Sequence, residues 1–202
     1  MELALISPEH EEPRERRLLK ALFSAGLSRY HVRRPEWDGS KVRRWLMAAP
    51  ATWRRHLVLH GHPELAQEFG LLGAHYPAAQ APLSPPPGIA SSRACHTLEE
   101  LDASLGRYDS ILLSPIFPSI SKPGRGPSEA LSLENISRRL SRRTREERKT
   151  LVYALGGVTA ERLSTCQQAG FDGAAVLGVV WEAADPVQTF AQLRHSAERH
   201  AA

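Results

Sequence analysis

The sequence predicts an α/β fold in a single domain over residues 1–202, a parallel sheet with helical crossovers that suits a (β/α)8 TIM barrel. Three observations point there. Short β-rich runs alternate strictly with amphipathic helical runs, the strand count reaches eight, and glycine-bearing turns follow the last two strands. A chain of 202 residues with 42% hydrophobic and 24% charged residues suits one domain with a proper core and argues against disorder. Alternation alone predicts a parallel sheet with helical crossovers, and it leaves a doubly wound open sheet as the alternative.

The first strand covers 3–7, and the helix over 11–25 places Leu18, Leu19, Leu22 and Phe23 on one face. A second strand covers 29–33. Asp38 caps a helix through Val42, Trp45 and Leu46 that stops near Pro50. The third strand is 56–60, with Leu57, Val58 and Leu59 at its centre. Pro63 opens the helix over 64–69, in a first turn that tolerates a missing N–H. Residues 73–76 form a short fourth strand.

The next crossover breaks the pattern. Residues 77–88 end in Pro85-Pro86-Pro87 and are too proline-dense for a regular helix. The segments on either side are too short for separate cores, so this stretch reads as a loop replacing the fourth helix rather than an interdomain linker. A fifth strand over 89–94 precedes a helix over 97–105, where Thr97 and Glu100 have capping-box spacing. The sixth strand is 110–113, followed by a loop over 114–127 and a mostly helical stretch over 131–148. Strand seven, 151–155, ends in Gly156-Gly157, and Thr159 caps the helix that holds Leu163 and Cys166. Strand eight covers 173–177 and the closing helix 186–197.

Charge and cysteine usage narrow the function. The pI near 9.4 accompanies a net charge of only +4, with acids mixed among the bases. The dense run Arg138, Arg139, Arg142, Arg143, Arg145, Arg148 and Lys149 is broken by Glu146 and Glu147 and lacks aromatic interleaving, so it reads as a solvated helical face rather than a nucleic-acid surface. No apolar run reaches bilayer length, and no secretory signal opens the chain, so no membrane association is expected. Cys95 and Cys166 are the two cysteines, which points to a reducing cytoplasm. Oligomeric state is left open, a homo-oligomer included.

Three segments after strands carry chemistry. Leu155-Gly156-Gly157-Val158-Thr159 lets backbone approach an anion at a helix N-terminus, although glycines there also serve a plain turn. Gly173-Ala174-Ala175-Val176-Leu177-Gly178 places a second set of amides beside the first, where barrels commonly hold phosphate. Ser119, Ser121 and Lys122 make the loop after strand six polar and anion-seeking.

The run Ser110-Ile111-Leu112-Leu113-Ser114-Pro115-Ile116-Phe117-Pro118-Ser119-Ile120-Ser121-Lys122 resembles the hallmark of the thiamine phosphate synthase/TenI family, a strand ending in Gly-Pro-x-Phe-x-Thr-x-Thr-Lys. Cys95-His96-Thr97-Leu98-Glu99-Glu100 is similar to the opening of the family's fifth helix. Ala154-Leu155-Gly156-Gly157-Val158 is similar to Ala-Ile-Gly-Gly-Ile, and the last strand to a closing Gly-x-Ala-Val. By this resemblance the sheet closes into a (β/α)8 barrel. Family synthases join hydroxymethylpyrimidine pyrophosphate to thiazole phosphate with magnesium, and TenI relatives tautomerise thiazole phosphate carboxylate without a metal. The resemblance thus implies a small phosphorylated thiazole or pyrimidine ligand, with Mg2+ if the chain is a true synthase and no cofactor otherwise. It assigns the thiazole phosphate to Gly156, Gly157, Leu177 and Gly178, and the pyrophosphate or second substrate to Ser119, Ser121 and Lys122.

The departures from the family pattern concern the acids. His31-Val32-Arg33-Arg34-Pro35 stands where synthases carry Gln-x-Arg-x-Lys, and His60-Gly61 stands at their Asn-Asp pair. His75-Tyr76-Pro77 leads into neutral residues where the family has an acid, and Ala94 replaces a strand-five serine. Magnesium wants hard oxygen ligands, so the metal and pyrophosphate site is divergent. In exchange, His31, His60, His62, His75 and His96 gather near the C-terminal ends of strands two to five. Imidazoles there suit general acid–base work, and His60-x-His62 offers two borderline metal ligands. The expected catalytic set is His31, Arg33, His60, His96 and Lys122, with His75 touching substrate. A non-catalytic binder of a phosphorylated ligand is the competing reading.

Overall fold

The computed structural model describes residues 1–8, 10–118 and 126–199. Eight parallel strands, β1 (Glu2–Ile6), β2 (Arg29–Val32), β3 (Leu57–His60), β4 (Gly73–Tyr76), β5 (Ala90–Cys95), β6 (Ser110–Leu113), β7 (Leu151–Leu155) and β8 (Gly173–Val176), pair in sequence order. β8 pairs back onto β1, so the sheet is a closed (β/α)8 barrel without a free edge. Around it lie α1 (Glu15–Ser24), α2 (Gly39–Ala48), α3 (Pro63–Glu68), α4 (Leu98–Ser104), α5 (Leu133–Ser141), α6 (Leu163–Gln168), α7 (Gly178–Trp181) and α8 (Pro186–Arg199). Among the described residues no helix is long and apolar enough to cross a membrane.

Strand alternation sorts the core. Leu3 and Leu5 join the large cluster between sheet and helices, whereas Ala4 and Ile6 meet Leu112, Tyr153 and Ala175 in a second cluster within the barrel. The same alternation turns His31, His60 and His75 away from their outward neighbours Tyr30, Val32, Leu59 and Ala74, which pack in the outer cluster. The lumen is therefore apolar where β1, β6, β7 and β8 line it and polar on β2 to β5, an unusual filling for a barrel whose interior layers are ordinarily aliphatic. Gly173 is required at the narrow end, where an added Cβ would lie 2.3 Å from the Tyr153 ring.

Helix starts follow the predicted chemistry. Asp38 accepts the Lys41 amide at 2.7 Å and Thr97 the Glu100 amide at 3.1 Å. The Glu100 carboxylate reaches the His96 amide at 2.5 Å instead of that of Thr97, one residue off the expected box. Thr159, by contrast, makes no side-chain cap, because a 3-10 turn over Ala160–Arg162 precedes α6.

The proline-dense crossover is indeed a loop. Between β4 and β5 its only regular element is the 3-10 turn Ala78–Gln80. Tyr76 and Tyr108 meet edge-on there, with ring centroids 6.4 Å apart, and the Tyr108 hydroxyl donates to the Pro82 carbonyl.

The stretch expected to stay helical to Arg148 ends at Ser141. Arg143 turns inward, its side chain 5% exposed, and forms a forked pair with Asp172 at 2.7 and 3.2 Å. Arg139 binds both Asp102 and Glu147. The arginine run is thus not one solvated helical face; two of its guanidiniums are structural ties. A second buried tie links α1 to the end of β2: Glu15 accepts from the Tyr30 hydroxyl and from Arg34, each at 2.5 Å.

Candidate functional site

A cavity of about 650 Å³ opens at the C-terminal mouth of the barrel, lined among others by Arg33, His60, His75, His96, Leu155 and Leu177. The strand ends set its chemistry. His60 and His75 are register partners on β3 and β4, and His31 lies on β2 opposite Val58. His31 is fully buried and His75 nearly so, while His60 is half-buried at the cavity wall. The His31 Nδ1 and His60 Nε2 atoms are 3.0 Å apart. The rings of His60 and His75 stack with centroids 4.0 Å apart, and His31 meets both edge-on.

Burial pushes all three imidazoles away from protonation, and each is further discouraged by neighbouring positive charge. His31 and His60 are held well below the usual histidine value by burial first, then by His75. Burial, then Arg33 and His96, lowers His75 to about 3. All three are held neutral near physiological pH, so each ring has one lone-pair nitrogen, and in the His31–His60 contact one ring's lone pair accepts the other's N–H. His75 Nδ1 lies 2.8 Å from the Ser92 hydroxyl, which fixes that ring.

His96 stands apart from the trio. Its Nδ1 lies 3.0 Å from the Ser114 carbonyl oxygen, an acceptor, so Nδ1 carries the proton and Nε2 the lone pair. His62 sits before α3 at φ 45° and pairs with Glu64 at 3.3 Å; it lines the same cavity but is not part of the cluster.

The two glycine turns fall at the same end of the molecule, since β7 and β8 are parallel neighbours with Leu155 opposite Ala175. Gly156 and Gly157 have φ of 96° and 63°, which favours glycine. They also carry packing: the Ile116 and Phe117 amides donate to the Leu155 and Gly156 carbonyls, and Arg162 donates to that of Gly157 at 2.6 Å. A Cβ on Gly157 would lie 2.5 Å from the Pro118 carbonyl oxygen. The plain-turn reading of these glycines therefore has its own basis, beside any anion. At the other turn, a Cβ on Gly178 would lie 3.0 Å from Glu182 Oε1, so that exposed carboxylate covers the start of α7.

Magnesium does not fit this wall. The described lining offers imidazoles, guanidiniums, the Ser114 hydroxyl, the Gln80 carboxamide, the Trp37 indole and apolar groups, and no Asp or Glu.

The structure thus brings together His31, His60 and His75, and lines one cavity with Arg33, His60, His75 and His96. Ser119, Ser121 and Lys122 lie outside the described residues. Sequence reasoning missed Ser92, which the two-residue alternation of β5 could have placed beside His75. It also missed Arg34, which lines the mouth while bound to Glu15. No sequence signal marks Glu182 as lying over Gly178.

A family described as thiamine monophosphate synthase matches residues 3–180. A thiamine-phosphate synthase of Salinibacter ruber is 30% identical over 145 residues, which is 68% of this chain and 60% of that relative's length. A crystal structure of thiamine phosphate pyrophosphorylase from Bacteroides thetaiotaomicron superposes with TM-score 0.80 at 26% identity, covering all of both chains. A thiamine phosphate pyrophosphorylase from Pyrococcus furiosus superposes with TM-score 0.81 at 16% identity over all of this chain and 97% of the other, a likeness of fold.

Proposed function

Because this chain belongs to the thiamine monophosphate synthase family, we propose that it joins a pyrimidine pyrophosphate to a thiazole phosphate at the barrel mouth. The observation that carries the reading is a cavity with Arg33 on its described wall and no carboxylate, at the end of the barrel where both glycine turns lie. Anionic ligands meet no carboxylate on this described wall, and the exposed Glu182 side chain swings aside for a phosphate at Gly178. In the reaction the thiazole nitrogen attacks the pyrimidine methylene carbon, a C–N bond forms, and the C–O bond to pyrophosphate breaks with its electron pair leaving on pyrophosphate. Arg33 stabilises the charge that develops on the leaving group, and the turns at Gly156-Gly157 and Leu177-Gly178 hold the thiazole phosphate. Ser119, Ser121 and Lys122 are proposed to face the pyrophosphate.

A second reading is favoured by the same missing acids. Imidazole suits a metal-free proton shift on a thiazole phosphate carboxylate, with His96, whose Nδ1 bonds the Ser114 carbonyl and whose ring lines the cavity, offering Nε2 as the base. One experiment separates the two. The protein is incubated with both synthase substrates, with and without divalent cations, and in parallel with the thiazole carboxylate, and products are followed by mass spectrometry. Thiamine phosphate formation supports the synthase. Carboxylate isomerisation without it replaces the synthase by the tautomerase. Thermal stabilisation by thiazole phosphate with no turnover of either set removes both and leaves a binding protein. In the active case, Arg33→Ala is expected to lower kcat/KM by about 10²-fold or more, as removal of one charge-stabilising donor typically does.

A further inference from the structure

We propose that His31, His60 and His75 form a transition-metal site, a three-imidazole seat for a zinc-class divalent ion on the polar side of the lumen. The inference does not depend on the reaction proposed above. One ring nitrogen from each of the three lies within 4.8 Å of the other two. The His31 and His60 nitrogens are already 3.0 Å apart. Two imidazoles bound to one zinc at about 2.0–2.1 Å and a tetrahedral angle hold their nitrogens roughly 3.3 Å apart, so this pair has the spacing of shared ligands. The third, on His75, lies within 4.8 Å of both, a gap that a bound ion would close by drawing the three side chains together.

Three further features favour an ion over a bare cluster of hydrogen bonds. The His31 Nε2 atom, the ring nitrogen not facing His60, is buried and has no hydrogen-bond partner among the described residues, so His31 can turn either nitrogen to an ion. Among the described residues no carboxylate lines the cavity to compensate protonated rings, and neutral imidazole is the form that binds metal. The Ser92 hydroxyl at His75 Nδ1 is the outer partner that a ligating histidine ordinarily carries, and it leaves Nε2 free to ligate. Three nitrogens and an open cavity on the fourth side match a zinc centre with an exchangeable position, which water or a phosphate oxygen would fill. Arg33 opposes a bare cation and favours one whose fourth ligand is an anion.

The test uses tag-free protein stripped with a chelator and titrated with Zn2+ by calorimetry and with Co2+ by visible absorption. The expected result is about one ion per chain, with the d–d bands of a four-coordinate cobalt centre. Affinity should fall at least tenfold in His60→Gln and in His75→Gln, and stay unchanged in His195→Gln, an exposed residue. Should the variants fail to fold, X-ray absorption on the wild-type zinc protein decides: imidazole scattering at about 2.0–2.1 Å is expected, and a sulfur or all-oxygen shell overturns the site. Failure of folded wild-type protein to bind either ion, or undiminished binding in His60→Gln combined with His75→Gln, also overturns it. Neither readout uses substrate, so turnover without metal binding defeats this inference alone, and metal binding without turnover defeats only the synthase and tautomerase readings.

Discussion

Glu15→Ala is expected to lower the free energy of unfolding by about 3–5 kcal/mol, the cost typical of stranding a buried charge. The Glu15 carboxylate accepts from Arg34 and from the Tyr30 hydroxyl, each at 2.5 Å, and the Arg34 and Glu15 side chains are 3% and 7% exposed. Arg34 also donates to the Pro8 carbonyl at 2.7 Å, and its guanidinium lies over the Trp37 ring. This one ion therefore joins the loop after β1, the first turn of α1 and the exit of β2. Deleting the acid leaves the guanidinium in place without its counter-charge, whereas Glu15→Leu with Arg34→Met removes both charges and is expected to recover much of the loss. Chemical denaturation of the single and double variants measures it. A loss below about 1 kcal/mol for Glu15→Ala would show that water reaches the pair and screens it.

Acid should destabilise the metal-free protein earlier than it does most barrels. The sign follows from proton counting. His31, His60 and His75 have native values below their ordinary 6.5, so below that pH the unfolded chain binds protons that the native chain refuses. Stability is level above about pH 7, and it falls from the ordinary histidine range downward until each native value is reached, about 3 for His75. Each ring contributes up to roughly 1.4 kcal/mol per pH unit, and the three together up to roughly 4. Urea titrations between pH 7.5 and 5 in chelator isolate the histidines, since few carboxylates titrate there. His31→Gln should flatten the slope by about one ring's share. A wild-type stability that does not change across that window would contradict the neutral cluster.

The architecture was largely legible in the sequence because strand and helix periods differ, and every crossover, including the helix lost after β4, left a compositional mark. The larger misreadings came where a side chain answered to a distant partner. The helix over 131–148 was cut short because Arg143 leaves it for Asp172, 29 residues on. Glu15 looks like one more polar residue at the start of an amphipathic helix, yet it is buried against Arg34. The site was legible as a ring of histidines at strand ends, but not in its grouping. Register decides that His60 and His75 are side by side, and that His62 and His96 turn to Glu64 and Ser114 instead.

The crossover without a helix has one more consequence. α3 packs on β4 and α4 on β5, but the crossover joining these two strands is a proline-rich ribbon held through Tyr76, Tyr108 and Pro82 instead of a helix. Every other crossover contains a helix whose apolar face must be torn away before its strands can part. This seam gives way at a lower free energy, so its amides should take up deuterium ahead of the other strand pairs. His75 and Ser92 sit on its two sides. Transient parting there would admit solvent sideways to the buried imidazoles, a route independent of whatever occupies the mouth.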